Sequence, residues 1–261
     1  MTTSITNDKS KHTDKKTGFL PSLGGILFWL ILWQILAGKI ANPLLLPAPT
    51  QVLKRLGELC LTGDFWSTVL YSLLRILAGF FMGLVFGTLL AWLSWSSKMI
   101  QALISPLIGT LKAIPVASFI ILALVWVKTQ FLASVVSFIM VTPMVYHNVR
   151  EGLDAADEEL LQMAQVFELS RWKKFKHIYL PALLPFFLSA VSSALGFAWK
   201  SGIAAEVLGK PVKAIGKQIS DAKIYLEMPD LFAWTLVVVT LSILLEKITV
   251  YIVGKIGRKK S

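Results

Sequence analysis

Charge is what this sequence has least of. Only 16% of its 261 residues are Asp, Glu, Lys or Arg, whereas 55% are hydrophobic and the mean hydropathy is +0.68. Soluble domains carry about 25% charged residues, and a water-soluble chain of this length could not hide so much apolar surface in one core. The shortage excludes a soluble enzyme, a nucleic-acid module and a disordered regulator. Cysteine is nearly absent as well: Cys60 is alone, so no internal disulfide is possible. The three histidines, His12, His147 and His177, form no metal-ligand spacing with that thiol, and no metal site is expected. A Gly-x4-Gly-Lys-Ser/Thr phosphate loop is missing too, because Lys200-Ser201 follows Trp199 and lies within an apolar run. The chain is therefore expected to hydrolyse nothing and to bind no cofactor directly.

What is present is a series of apolar runs. A helix needs about 20 residues at 1.5 Å each to cross about 30 Å of hydrocarbon. Six candidates follow, from about Leu23 to Ile40, Ser67 to Trp92, Met99 to Val127, Phe131 to Val149, Ala182 to Val207 and Leu231 to Val253. Pro106 and Pro115 interrupt the third, and Pro115 and Pro143 are expected to kink the bundle. The fold class is thus an all-α membrane protein with about six transmembrane helices. Its expected organisation is a polar N-terminal tail over 1–22, a membrane domain over 23–254 and a basic tail over 255–261. The long polar leader, with no small-x-small site after the first run, argues against a cleaved signal peptide. Residues 42–66 contain three prolines and then an amphipathic stretch. Val52, Leu53, Leu56, Leu59 and Cys60 share one face, which suits an interfacial helix.

Orientation follows from charge. The chain carries 26 basic and 15 acidic residues, and in a membrane protein the basic surplus collects in cytoplasmic loops. Four basic residues in the N-terminal tail, Lys98, five in 150–180 and four at the C-terminus share one side, whereas eight lie on the other. With an even span count, the chain is expected in the cell (inner or plasma) membrane with both termini and the 150–180 loop on the cytoplasmic side. Trp33, Trp66, Trp92, Trp95, Trp126 and Trp234 fall near span ends, where indoles anchor at headgroups or fill gaps in the bundle.

Residues 150–181 do not look like a simple connector. Leu153, Leu160, Leu161, Ala164, Phe167 and Leu169 recur at helical spacing, and Ser170 is placed to cap a second helix carrying Trp172, Phe175, Ile178 and Tyr179 among basic residues. Two short amphipathic helices meeting at an angle, with Pro181 ending the pattern before the fifth span, are shaped for docking a protein partner. A hairpin held on anionic lipid is the competing reading.

Within the spans, ionisable groups are costly by about 2.5–3.5 kcal/mol and tend to face a bundle interior or partner. Ser192, Ser193, Gly196 and Lys200 share one helical face, which is read as lining a translocation path where Lys200 favours an anion. Alternatively, Lys200 pairs with Glu206 or snorkels to an interface. Arg75 either snorkels or pairs with an acidic group, and Glu206 is read as an inter-helix or loop anchor.

The spacing of Gln162-Met163-Ala164, Glu168, Ile178, Leu180 and Pro181 resembles the coupling loop of ABC importer permeases, whose pattern is EAA-x3-G-x9-I-x-LP. Pro47-Ala48-Pro49, Ser72-Leu73-Leu74-Arg75 with Gly79-Phe80, Ile114-Pro115, and Ala205-Glu206-Val207-Leu208 with Ala214-Ile215-Gly216 are similar to the nitrate/sulfonate/taurine branch. Two departures stand out: Gln162-Met163 replaces Glu-Ala, and Glu168 replaces Gly. Glu168 then either adopts a left-handed conformation at about 1 kcal/mol or shifts the turn towards Leu169-Ser170. The resemblance implies a type I importer permease fold and a non-catalytic subunit. The residues it assigns to ATPase docking are Leu161, Gln162, Met163, Ala164, Phe167, Glu168, Ile178, Leu180 and Pro181. It also implies a permease homodimer within membrane lipid, two ABC ATPase subunits that handle ATP and magnesium, and an extracytoplasmic binding protein delivering a small anionic solute. A thiamine-precursor-like substrate, or a secondary transporter driven by an ion gradient, are the alternatives.

Overall fold

The structure, a computed structural model, describes residues 19–258. The first 18 residues of the expected N-terminal tail, and 259–261 of the expected basic tail, lie outside the described residues.

Eleven α-helices follow in chain order: α1 (Phe19–Ile40), α2 (Pro49–Cys60), α3 (Gly63–Ser96), α4 (Lys98–Ala113), α5 (Val116–Ala123), α6 (Thr129–Asp154), α7 (Glu158–Val166), α8 (Arg171–Lys174), α9 (Leu180–Gly209), α10 (Ile215–Ile224) and α11 (Met228–Arg258). A π-helical stretch, Phe175–Tyr179, joins α8 to α9. Among the described residues four helical stretches are long and apolar enough to cross a membrane: Gly63–Ser96, Thr129–Asp154, Arg171–Gly209 and Met228–Lys255. The α4–α5 pair counts as a fifth, and α1 contributes a shorter apolar helix, Leu27–Ile40, among the described residues.

The third expected span is not one helix. It bends by 102° between Ala113 and Val116. Proline has no N–H and forces the preceding residue out of the helical region, and Ile114 accordingly sits extended at ψ 126° ahead of Pro115. Pro106 and Pro143 remain inside α4 and α6, so of these three prolines only Pro115 breaks its helix.

The bundle centres on α6, which lies between α3 and α9. Glycine permits this closeness: a Cβ on Gly79 would strike the Ser134 backbone carbonyl, and one on Gly83 or Gly87 would come within 2.9 Å of atoms of α6. Ile76, Leu132, Val136, Val141, Val145 and Trp199 fill the buried core between these helices. The register fixes which ends meet. Phe65 stacks on Trp234 and Trp33 on Phe232, which places the α3 and α11 N-termini at one end with α2 and the later part of α1. The Ser94–Tyr146 hydrogen bond and the Trp95–Tyr179 contact bring the far ends of α3 and α6 to the base of α9.

Several tryptophans sit differently from the headgroup expectation. Trp234 is buried against Phe65, and Trp33 donates its indole N–H to the Pro47 carbonyl at 3.1 Å. Both fill gaps inside the fold, whereas Trp66 and Trp126 are exposed. On α2, Val52 is buried and Leu56, Leu59 and Cys60 pack on the core, but Leu53 points outward. Arg55 locks α2 to α11 through a bidentate pair with Asp230, including Nη2 to Oδ2 at 3.0 Å. The Asp230 and then Glu58 carboxylates hold its protons more firmly than usual.

Candidate functional site

Three features gather the chemically informative residues: a helical hairpin, a polar groove and a buried acid–base cluster. The hairpin is α7 and α8. Asp157 caps α7, its Oδ1 accepting from the Glu159 N–H at 2.8 Å and the Leu160 N–H at 3.4 Å. At the other end of α7 the Leu169 N–H reaches the Ala164 carbonyl at 3.0 Å and the Glu168 N–H reaches that of Gln165 at 3.1 Å. That double bond pattern is a Schellman motif, which requires a left-handed residue past the helix end. Glu168 supplies it at φ 50°, so the turn stays at the position where the family pattern has glycine and does not shift to Leu169-Ser170. The Ser170 Oγ accepts from the Lys173 N–H at 3.4 Å and starts α8.

Pro181 does not end the second helix. Arg171–Gly209 runs as one 39-residue helical stretch, contrary to the expectation of a stop before the fifth span. An α-helical proline clashes with the carbonyl four residues earlier and leaves it without a donor. Here the turn before it widens: the Leu180 N–H reaches back five residues to Phe175, and Pro181 takes the first turn of α9.

The docking residues expected from the sequence divide into two sets. Ala164 and Ile178 are buried together with Ala156, while Leu161, Leu169 and Ala182 flank them half-buried, so this set holds the hairpin against the base of α9. Leu180 is half-buried and Pro181 exposed. Gln162, Met163, Phe167 and Glu168 face outward. Phe167 is 70% exposed, and beside it stand Val166 at 80% and Trp172 at 70%. Val166 was not singled out from the sequence, where its place one residue before Phe167 puts it off the main apolar stripe. These side chains make an uncovered apolar edge on a helix pair otherwise rich in charge.

The groove lies between α9 and α11, with Met144 of α6 at its edge. Ser192, Ser193, Gly196 and Lys200 line it together, as their shared helical face suggests, and Ser242, Glu246 and Val250 form the opposing wall. Its volume is about 370 Å3. Met144 and Phe197 also border a second cavity of about 400 Å3, lined by Lys112, Ile114, His147 and Asn148 at the α4–α5 break. The break therefore opens a mostly apolar chamber next to the groove, with Lys112, His147 and Asn148 as its polar residues.

The cluster resolves the two span-embedded ions whose partners the sequence left open. Glu206 is fully buried on α9, and its Oε2 accepts from the Ser72 hydroxyl at 2.7 Å and the Gly216 N–H at 3.3 Å. Arg75, and not Lys200, is its ionic partner, with Nη1 3.5 Å from Oε1. Arg75 also donates to the carbonyls of Val212 at 2.8 Å and Lys213 at 3.0 Å, and the Ile215 N–H donates to Ser72 at 2.9 Å. A Cβ on Gly216 would run into the Glu206–Val207 backbone, so only glycine allows this approach. The cluster ties α3, α9 and the 210–216 connection into one unit.

The groups present suit solute passage and partner docking, and no set of three or more His, Cys, Asp or Glu among the described residues could hold a metal. Residues 83–260 match the family of binding-protein-dependent transport system inner membrane components. The chain is 28% identical over 253 residues to the bicarbonate transport system permease protein CmpB of Synechococcus elongatus, covering 93% of this chain and 91% of that one. It is 25% identical to the putative aliphatic sulfonates transport permease protein SsuC of Bacillus subtilis (86% and 82% covered). To the taurine transport system permease protein TauC of Escherichia coli it is 23% identical (86% and 84% covered). The chain belongs to the family of binding-protein-dependent transport system inner membrane components, as a non-catalytic ABC importer permease of the nitrate/sulfonate/taurine branch.

Proposed function

We propose that this chain is the membrane subunit of an ATP-driven importer for a small anionic solute, working as a homodimer with two ATPase subunits and an extracytoplasmic binding protein. The observation that carries the reading is the continuity of the 171–209 helical stretch. At 1.5 Å per residue its 39 residues extend roughly 58 Å, from the exposed apolar hairpin past the polar groove to Glu206. A partner gripping Met163, Val166, Phe167 and Trp172 would thus hold the lever whose other segments line the path and anchor the far end. Closure of the ATPase pair around ATP and magnesium, bound by those subunits alone, would move the hairpin as a rigid body and switch the groove between two access states.

In this reading the hairpin end and both termini are cytoplasmic, and the α2–α10 end meets the binding protein. The hydroxyls of Ser192 and Ser193 with the Lys200 ammonium supply donors to an anion at modest cost, because none of them is committed elsewhere among the described residues. The names of the sulfonate, taurine and bicarbonate relatives support the same solute class.

The test is uptake into proteoliposomes holding the permease, its ATPase and its binding protein. Labelled bicarbonate, ethanesulfonate and 2-aminoethanesulfonate serve as probes. Uptake of at least one is expected to need ATP on the hairpin side and to survive ionophores. Uptake that ignores ATP and collapses with the ion gradient would overturn the reading.

A further inference from the structure

The groove carries two charges of opposite sign. Lys200 stands on its α9 wall and Glu246 on its α11 wall, both exposed to the cavity, with the hydroxyls of Ser192, Ser193 and Ser242 between them. No ion pair joins Lys200 to Glu246, and neither charge has an ionic partner among the described residues. The serines also lack hydrogen bonds there, unlike Thr110, Thr142, Thr235 and Thr249, each of which donates to the carbonyl four residues back. A cation, an anion and three hydroxyls, all uncommitted, face one small volume at membrane depth.

Register explains why the two charges do not simply meet. The Trp199 indole N–H donates to the Val238 carbonyl at 3.1 Å, which sets α9 and α11 level at that point and antiparallel. Glu246 lies eight residues further along α11, hence roughly 12 Å along the axis from the Lys200 level. With the two positions about two turns apart and no ion pair between them, the space they leave suits a short molecule charged at both ends.

Resting on the reading of the previous subsection but narrowing its anionic solute to one whose acid group is balanced by an amine, we propose that the groove is a station for a small zwitterion, a primary ammonium and a singly charged acid group joined by a short linker, with the acid on Lys200 and the ammonium on Glu246. A simple monoanion satisfies Lys200 and leaves the Glu246 carboxylate facing it without a partner, so Glu246 is a specificity-determining residue. The serines donate to the acid oxygens or accept from the ammonium along the way.

The experiment uses the same proteoliposomes and compares 2-aminoethanesulfonate with ethanesulfonate, which lacks only the amine. The effect of each substitution on the ratio of the two, with the binding protein unchanged and saturating, isolates the permease. Glu246→Gln is expected to lower 2-aminoethanesulfonate uptake at least tenfold and to leave ethanesulfonate within twofold, with Glu246→Asp recovering most of the loss. Lys200→Met is expected to lower both. ATP-driven uptake of ethanesulfonate or bicarbonate with no preference for the amine overturns the zwitterion station alone. So does Glu246→Gln affecting both sulfonates equally or neither. Absence of ATP-driven uptake of all three probes overturns the importer of small anions and the station together.

Discussion

Two pairs of opposite charges lie in the apolar body of this protein, and they are treated in opposite ways. Arg75 and Glu206 are drawn together, and Glu206 is fully buried with Ser72 and the Gly216 N–H satisfying its second oxygen. Lys200 and Glu246 are kept apart, open to a cavity and uncommitted. Desolvating an ion costs several kcal/mol, and only good geometry with further hydrogen bonds repays it. The first pair meets that condition through Oε2 and acts as a clamp, whereas Oε1 has the Arg75 guanidinium at 3.5 Å and no hydrogen bond. The second pair avoids the cost by staying open, as the proposed transport path requires of charges that meet a passing solute.

The largest expected effect breaks the clamp. Glu206→Leu leaves the Arg75 guanidinium without its counter-ion and is expected to cost about 3–5 kcal/mol, read as a lowered thermal midpoint in detergent. Glu206→Gln, which retains an acceptor for Ser72 and Gly216, is expected to cost less. Equal melting of Glu206→Leu and the unmodified chain would show that the cluster does not hold α3 to α9. Next comes the packing that surrounds it: Gly79→Val, whose Cβ meets the Ser134 backbone, is expected to cost about 1–3 kcal/mol in the same assay. Lys200→Met, in the open pair, is expected to change stability by no more than about 0.5 kcal/mol while lowering uptake. A large stability loss there would erase the distinction between the two pairs. The smallest effect belongs to the hairpin turn. Glu168→Gly relieves a left-handed side chain and is expected to raise stability by under about 1 kcal/mol with ATPase binding retained.

The same contrast explains what the sequence made legible. The small-residue face with Lys200, the hairpin with its Ser170 cap and the apolar spans are all periodic along the chain, and periodicity is what helices write into sequence. The choice of Arg75 over Lys200 as the partner of Glu206 is not periodic. Lys200 is six residues away in sequence and Arg75 is 131, and only the packing of α3 on α9 decides between them. The bend at Ile114-Pro115 was signalled by the proline, but Pro106 carries the same signal and stays in its helix. What separates the two prolines is whether the residue before remains helical. The widened turn before Pro181 left no signal, because it changes hydrogen-bond partners and not the apolar pattern. Glu246 escaped notice because its significance comes from α11 facing the serine stripe of α9, a juxtaposition that exists only in three dimensions.

In the proposed importer an ATPase holds this permease by the outward edge of its hairpin. The most direct measurement is co-purification of the ATP-hydrolysing subunit with the tagged chain in mild detergent, comparing the unmodified protein with Phe167→Asp and with Glu168→Gly. Phe167 is exposed and supports no core, so Phe167→Asp is expected to leave the permease folded, by its thermal midpoint, and to lose the ATPase. Glu168→Gly is expected to retain it. Full retention of the ATPase by a folded Phe167→Asp permease would show that the hairpin edge is not where the ATPase docks.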